Sequence, residues 1–488
     1  EDKVQGPMEL LDVFQDAQIH EDSDDVESAV NAYEFLVERF NSGECEESAQ
    51  GVPGNIVAST ALNCIAGHYL DIQDVGNAKD YMKQALVVWP RNAMASLNLA
   101  NLEREYGSPA AANGLYKDIT NVAEDDMEID LDESAEWYQT WVGEPQAECL
   151  RTACYMLALT CHQNGDYQMG LGYLRRFNFK LRIAPGVWDL VGDGNRSANC
   201  RDSPVHLHRD AIPPELHKQL LKAFSPESPF WEATDYKTRG YFSFWYDVKK
   251  RPSNLAETLV QYLLPLTGRD DIVGAEWWVH SRPCGRNLGH QLHYDMEENS
   301  LEVDGQVLHP VVSSVSYLSG AQHGGPTVVF DQKPGDSAAE TAFVANPVDG
   351  AFLTFPGNRL HGVLPGKTAR DSRHLCEPNS RPRRLTLMVG FWNKNVNAIG
   401  KRHSLGPCSP FPRSSRRNTW PNILSSSKYN QESQPISEEI AVHSVSPAWE
   451  TIQDETGCTE NTLQIPEDVD QLFFLKSAEQ FQHEDLHC

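Results

Sequence analysis

The sequence contains no Cys-x-x-Cys pair, and its 11 cysteines are scattered singly rather than set in an even, tightly spaced framework. That excludes a disulfide-built scaffold and fits reduced thiols in an intracellular, cytoplasmic setting. No apolar run reaches the roughly 18 to 20 residues that a spanning helix needs, so no membrane span is expected. The N-terminus, EDKVQGPMELL, lacks the basic-then-apolar layout of a secretory signal. The triplet NRS at Asn195 fits a glycosylation acceptor, but three-residue matches are too common to argue for secretion. Positive charge is scarce as well: 41 basic residues stand against 69 acidic ones, a formal net charge of -28. Such a surface repels nucleic acid and anionic lipid, and neither is an expected partner.

What is present divides the chain. At 488 residues it has room for two or three cores. Residues 1–28 read as an acidic lead-in around HEDSDD, with NAYEFLVERF as a flanking helix. Residues 29–183 carry an internal repeat. Ser59, Ala66, Tyr69, Ala78, Ala85 and Pro90 fall on the small, aromatic and terminal-proline positions of a 34-residue helix-turn-helix unit. The same period carries Ala66 onto Ala100 and Ala78 onto Ala112, with Gly107 as the turn. A divergent third copy has its turn at Gly165, Asp166 and Tyr167 and a close-packing Gly170. These stretches resemble tetratricopeptide repeats, whose stacked helix pairs bury a shared core and expose a concave groove. An alanine-rich helical bundle is the plainer alternative. Between the second and third copies, AEDDMEIDLDESAE lacks the glycine-turned ligand ladder of a calcium loop and reads as a solvated acidic stretch.

After a linker at residues 184–199 the pattern changes. IPPELHKQLLKAF predicts a helix opened by Pro213 and Pro214 with Leu216, Leu220, Leu221 and Phe224 on one face. Short β-rich runs then follow, punctuated by Gly and Pro: AEWWVHSR, PVVSSVSYLS, GPTVVF, GAFLTFPG and RRLTLMVGFW. They predict a β-barrel or jelly roll over residues 200–398. Residues 399–488 are Ser/Pro-rich and polar, which predicts a mostly disordered tail with a docking helix near LQIPEDVDQLFFLKSAEQF. The fold class is therefore multidomain α + β, with helical repeats first and a jelly-roll sheet domain second.

The chemistry sits in GHQLHYDMEENS. On a strand, His293 and Asp295 point to one face, and PVDGAFLTFPGNRLHGVLPG delivers His361 from another strand end. Two histidines and a carboxylate form the facial triad that leaves positions open on a non-haem Fe(II) ion. His290 is read as a loop or outer residue, because a fourth ligand would close the site. His280 lies on the preceding strand and could line the pocket, but a satisfied core histidine is the preferred reading, and Glu297 and Glu298 are read as facing solvent.

On these segments, residues from about 200 to 398 resemble the Fe(II)- and 2-oxoglutarate-dependent dioxygenases, in particular their prolyl-hydroxylase-like branch. HYD matches the family's H-x-D, LHGVLP its distal-histidine segment, and SVSYLSGAQHGGPTVVF the strand and Gly-Gly turn between them. The resemblance implies a double-stranded β-helix with His293, Asp295 and His361 as metal ligands and catalytic residues. It implies Fe(II), 2-oxoglutarate and O2, with ascorbate as a further candidate, and hydroxylation of a C–H bond with release of succinate and CO2. Tyr317 takes the place where the family often bonds the 2-oxoglutarate carboxylate. The family's basic residue usually follows the second histidine by about ten positions, which points to Arg370. That residue, however, lies beside the insertion DSRHLCEPNSRP rather than on the strand. A guanidinium matches a carboxylate only when rigidly held, so Arg384 on RRLTLMVGFW is preferred, paired with Thr386 on the same face. Arg383 and Arg370 remain the alternatives. Collagen-type prolyl hydroxylases also join repeats to this fold, so the expected substrate is a peptide or protein, basic in character, held partly by the helices. A dioxygenase acting on a small metabolite and a non-catalytic repeat scaffold are the competing expectations.

Overall fold

The computed structural model describes residues 9–43, 51–72, 74–122, 135–177, 179–192, 203–234, 242–283, 289–297, 306–320, 325–366, 383–396, 408–425, 435, 437–452, 463–465 and 473–475. These fall into two compact units. The first holds the described residues up to 177 together with 463–465, and the second holds those from 179 to 452 together with 473–475.

The first unit is helical: α1 (Leu10–Asp22), α2 (Val26–Asn41), α3 (Gly54–Asp71), α4 (Val75–Val88), α5 (Ala93–Tyr106), α6 (Pro109–Val122), a one-turn α7 (Glu136–Tyr138), α8 (Glu144–Asn164) and α9 (Tyr167–Arg175). Side chains of Asp25, Asp74 and Asn92 cap α2, α4 and α5 by accepting from the backbone N–H of Ser28, Asn77 and Ala95. Gly165, at φ +82°, closes α8 in the left-handed conformation that glycine takes without strain. Ala66, Ala78, Ala85, Ala100 and Ala112 are all fully buried. Ser59 Oγ donates to the carbonyl of Ala85 at 2.8 Å and accepts from Asn92 Nδ2 at 2.9 Å, tying the first turns of α3 to the end of α4 and the cap of α5. α1 corrects the expectation of an acidic lead-in. Its Leu10, Leu11, Val13, Phe14 and Ala17 are buried on one face, while Asp12, Gln15, Asp16 and Gln18 on the other face and Asp22 to Asp25 at its C-terminal end are exposed.

The second unit holds β1 (Leu181–Ile183), α10 (Pro185–Asp189), β2 (His206–Arg209), α11 (Pro214–Ala223), α12 (Pro229–Ala233), β3 (Phe244–Asp247), α13 (Leu255–Leu263), β4 (Gly274–Pro283), β5 (His290–His293), β6 (Val312–Ser319), β7 (Thr327–Phe330), β8 (Ala342–Ala345), β9 (Phe352–Phe355), β10 (His361–Val363) and β11 (Arg383–Trp392). It continues with β12 (Ser409–Pro410), β13 (Glu438–Ile440), β14 (His443–Val445), β15 (Trp449–Thr451) and β16 (Phe474–Leu475). One sheet runs in the order β12-β3-β4-β11-β6-β9-β2-β13, a second β14-β8-β7-β10-β5, and a third β15-β1-β16.

Alternation along β11 and β4 sets the layers. Leu385, Leu387, Val389 and Phe391, with Ala275, Trp277 and Val279, pack with Leu216 and Leu220 of α11 and Leu259 of α13. The opposite faces look toward the five-stranded sheet, where Tyr317, Leu353 and Phe355 meet Val329, Phe343 and Ala345. Two further stretches hold secondary structure that the sequence did not announce. The stretch 184–199, read as linker, contains α10, and β1 just before it already belongs to the sheet unit. Among the described residues after 399, four strands complete sheets: β13 pairs with β2, β14 with β8, and β15 and β16 with β1. Phe474 and Leu475, placed in a docking helix from sequence, form a strand instead.

Candidate metal centre

β5 and β10 are antiparallel neighbours, and His293 and His361 are direct partners in their register. Their rings lie 4.3 Å apart between centroids. Leu292 and Tyr294 are buried, and they alternate with His293 and Asp295, which face the cavity. Each imidazole is fixed by its own chain: Nδ1 of His293 donates to the carbonyl of Gln291 at 2.8 Å, and Nδ1 of His361 to that of Arg359 at 2.9 Å. A carbonyl only accepts, so in both rings Nδ1 carries a proton and Nε2 is the nitrogen that could offer a lone pair to a cation. Asp295 Oδ1 lies 3.7 Å from each Nε2.

Ligand atoms of His293, Asp295 and His361 all fall within 4.8 Å of one another, and this is the only such group of three among the described residues. A divalent ion about 2.1 Å from each donor spans atoms up to about 4.2 Å apart. The 3.7 Å separations are inside that span. Two imidazoles and one carboxylate, largely buried beside a cavity, could therefore hold a metal ion and leave part of its coordination sphere open.

The cavity is small, about 70 Å³, and is lined by the triad together with the polar Thr327, Arg384 and Thr386 and the apolar Trp278, Phe355, Val363 and Met388. Arg384 and Thr386 follow from the alternation of β11, since their odd-numbered neighbours face the helices. Arg384 is buried, and its guanidinium carbon stands 5.8 Å from the Tyr317 ring centroid. Burial pushes the Tyr317 phenol above its ordinary range, and the nearby Arg384 charge opposes that shift. Arg383 points elsewhere: its Nε donates to Ser281 Oγ at 2.7 Å and its Nη2 to the Ser281 carbonyl at 2.8 Å. Arg370 lies outside the described residues.

Several residues take places the sequence did not assign. Tyr317 is buried behind Thr327, whose Oγ1 is 2.9 Å from the phenol oxygen, so Thr327 rather than Tyr317 lines the cavity. His280 also lines it. The clue was there, because Trp278 and His280 share the strand face opposite Trp277 and Val279. His290 forms another part of the wall, edge-on to His293 at 4.7 Å and outside the triad. Glu297, read as solvent-facing, is 2 % exposed, and its backbone N–H donates to the Leu308 carbonyl. Glu298 lies outside the described residues.

No family model matches this chain, and no curated protein matches it. Among the described residues, no helix is long and apolar enough to cross a membrane.

Proposed function

We propose that the chain is an Fe(II)- and 2-oxoglutarate-dependent dioxygenase that hydroxylates a peptide or protein side chain. The observation that carries this reading is the convergence of His293, Asp295 and His361 on a cavity that also contains a buried arginine. On this reading the face-to-face sheets are a double-stranded β-helix, and the paired helices of the first unit are tetratricopeptide-like repeats.

The roles divide by chemistry. Nε2 of His293, Nε2 of His361 and Oδ1 of Asp295 would hold Fe(II). Bound there, the metal would supply dioxygen activation coupled to decarboxylation of 2-oxoglutarate, placing one oxygen atom in a substrate C–H bond and the other in succinate. Arg384 offers a charged, forked donor for the distal carboxylate, and the hydroxyls of Thr386 and Thr327 can donate beside it. Tyr317 then acts behind Thr327, fixing the direction of its hydroxyl. Trp278, Phe355 and Met388 line the same cavity and limit the water in it, which strengthens the ionic contact. A basic peptide suits the -28 charge of the whole chain. Ascorbate would serve as an accessory reductant.

The test is succinate formation from 2-oxoglutarate by the Fe(II)-loaded chain, followed by a mass-spectrometric search of cell extract for a product one oxygen heavier. His293→Ala and Asp295→Ala should abolish Fe(II)-dependent succinate formation and leave the fold intact. Wild-type turnover in both variants would falsify the assignment.

A further inference from the structure

Asp295 lies beyond the end of β5, where no sheet pairing fixes its direction. Three contacts to residues 308–313 do so instead. The Glu297 backbone N–H donates to the Leu308 carbonyl at 2.9 Å, and His309 Nδ1 donates to the Asp295 carbonyl at 2.7 Å. Ser313 Oγ donates to Asp295 Oδ2 at 2.5 Å. Ser313 is 1 % exposed on β6, which is itself held between β11 and β9, so its hydroxyl is a rigid donor. The two carboxylate oxygens thus have separate duties: Oδ2 faces the serine, and Oδ1 lies 3.7 Å from both histidine Nε2 atoms.

We infer that residues 308–313 form a bracket that restricts Asp295 to one-oxygen ligation, with Ser313 as its principal positioning residue. This inference rests on the metal-centre reading above. A carboxylate free to turn binds a metal through both oxygens and occupies a position that a chelating co-substrate or dioxygen needs. With Oδ2 engaged by a short, charge-assisted hydrogen bond, only Oδ1 is offered. Outer hydrogen bonds of this kind also orient the ligand before the metal arrives, and their loss typically costs about 10- to 100-fold in metal affinity.

The experiment titrates Co(II) alone into the metal-free full-length chain and follows binding by competition with a chelating dye. Ser313→Ala removes the donor. Ser313→Cys keeps nearly the same volume with a poor donor, and serves if the alanine variant does not fold. Both should bind Co(II) roughly 10- to 100-fold more weakly than wild type, while the thermal midpoint of the metal-free chain stays close to the wild-type value. Wild-type Co(II) affinity in a folded variant overturns the bracket and leaves the metal centre standing. That result combined with a lowered midpoint would assign the serine a structural role only. A wild-type chain that binds no Co(II), or one whose His361→Ala variant binds it equally well, overturns the metal centre and the bracket with it.

Discussion

The arginine pair shows how much is decided by a single residue step on a strand. Arg383 and Arg384 are chemically identical, yet alternation along β11 sends one to Ser281 and the other into the cavity. Arg384→Ala should raise the concentration of 2-oxoglutarate needed for half-maximal succinate formation, since a lost buried charge pair costs on the order of 2 to 5 kcal/mol. Each 1.4 kcal/mol is about tenfold, so the effect should be at least roughly 25-fold. Arg383→Ala loses hydrogen bonds to β4 and should lower stability by about 1 kcal/mol each with little change in that requirement. A reversed ranking in the 2-oxoglutarate titration would move the anchor. Thr327→Val tests the relay from Tyr317. It preserves shape and removes one hydroxyl, so the requirement should rise by about fivefold, which corresponds to about 1 kcal/mol. An unchanged titration would remove Thr327 from the carboxylate end.

At the scale of the element, the register between β5 and β10 brings the two histidines together. Gly362 makes that register possible: a Cβ there would lie 2.9 Å from the His290 carbonyl oxygen and 3.0 Å from that of Gln291. Real side chains do not approach backbone so closely, so Gly362→Ala should push β10 away from β5 and separate His361 from His293. Overpacking of this kind costs about 1 to 3 kcal/mol, and Co(II) affinity and thermal midpoint should fall together. If only the midpoint falls, the strand pair is not what sets the ligand spacing. Elements like these were readable in the sequence to different degrees. RRLTLMVGFW declared its two faces through strict alternation, and H-x-D with a distal histidine declared the triad. β13 and β15 could not be read the same way. Glu438 and Glu439 are exposed, as are Glu450 and Thr451, so no apolar period marks these strands. Their existence depends on the distant edges of β2 and β1. The helix α1 was readable, since Leu10, Val13, Phe14 and Ala17 keep helical spacing, but the acidic residues after it dominated the composition. Thr327 opens TVVF, where a β-branched residue is ordinary strand filler. Only the pairing of β7 with β10, Thr327 opposite Val363, puts it beside the triad.

For the whole molecule, the question is whether the helical unit contributes to substrate binding, and the boundary between the units decides how that can be asked. A truncation at residue 183 would delete β1, whose Leu181–Ile183 pair with both β15 and β16 and close the third sheet. Removing residues 1–178 leaves that sheet whole, because β1, β15 and β16 all belong to the second unit, and it leaves of the described first unit only residues 463–465. Co(II) affinity equal to that of the full chain would certify that the remaining unit is folded around the candidate metal centre. Helical-repeat grooves hold extended or helical peptides over several turns, whereas a small metabolite is enclosed by the cavity mouth alone. For a peptide substrate, the truncated chain should therefore show a raised KM, with substrate-free decarboxylation of 2-oxoglutarate unchanged. That combination identifies lost contacts as binding contacts rather than catalytic ones. A basic peptide adds a second reading, since its attraction to the -28 chain is screened by salt and the full chain's KM should climb with ionic strength. A certified truncation that processes the identified substrate with unchanged KM and unchanged salt dependence would take the helices out of substrate binding and favour a small metabolite.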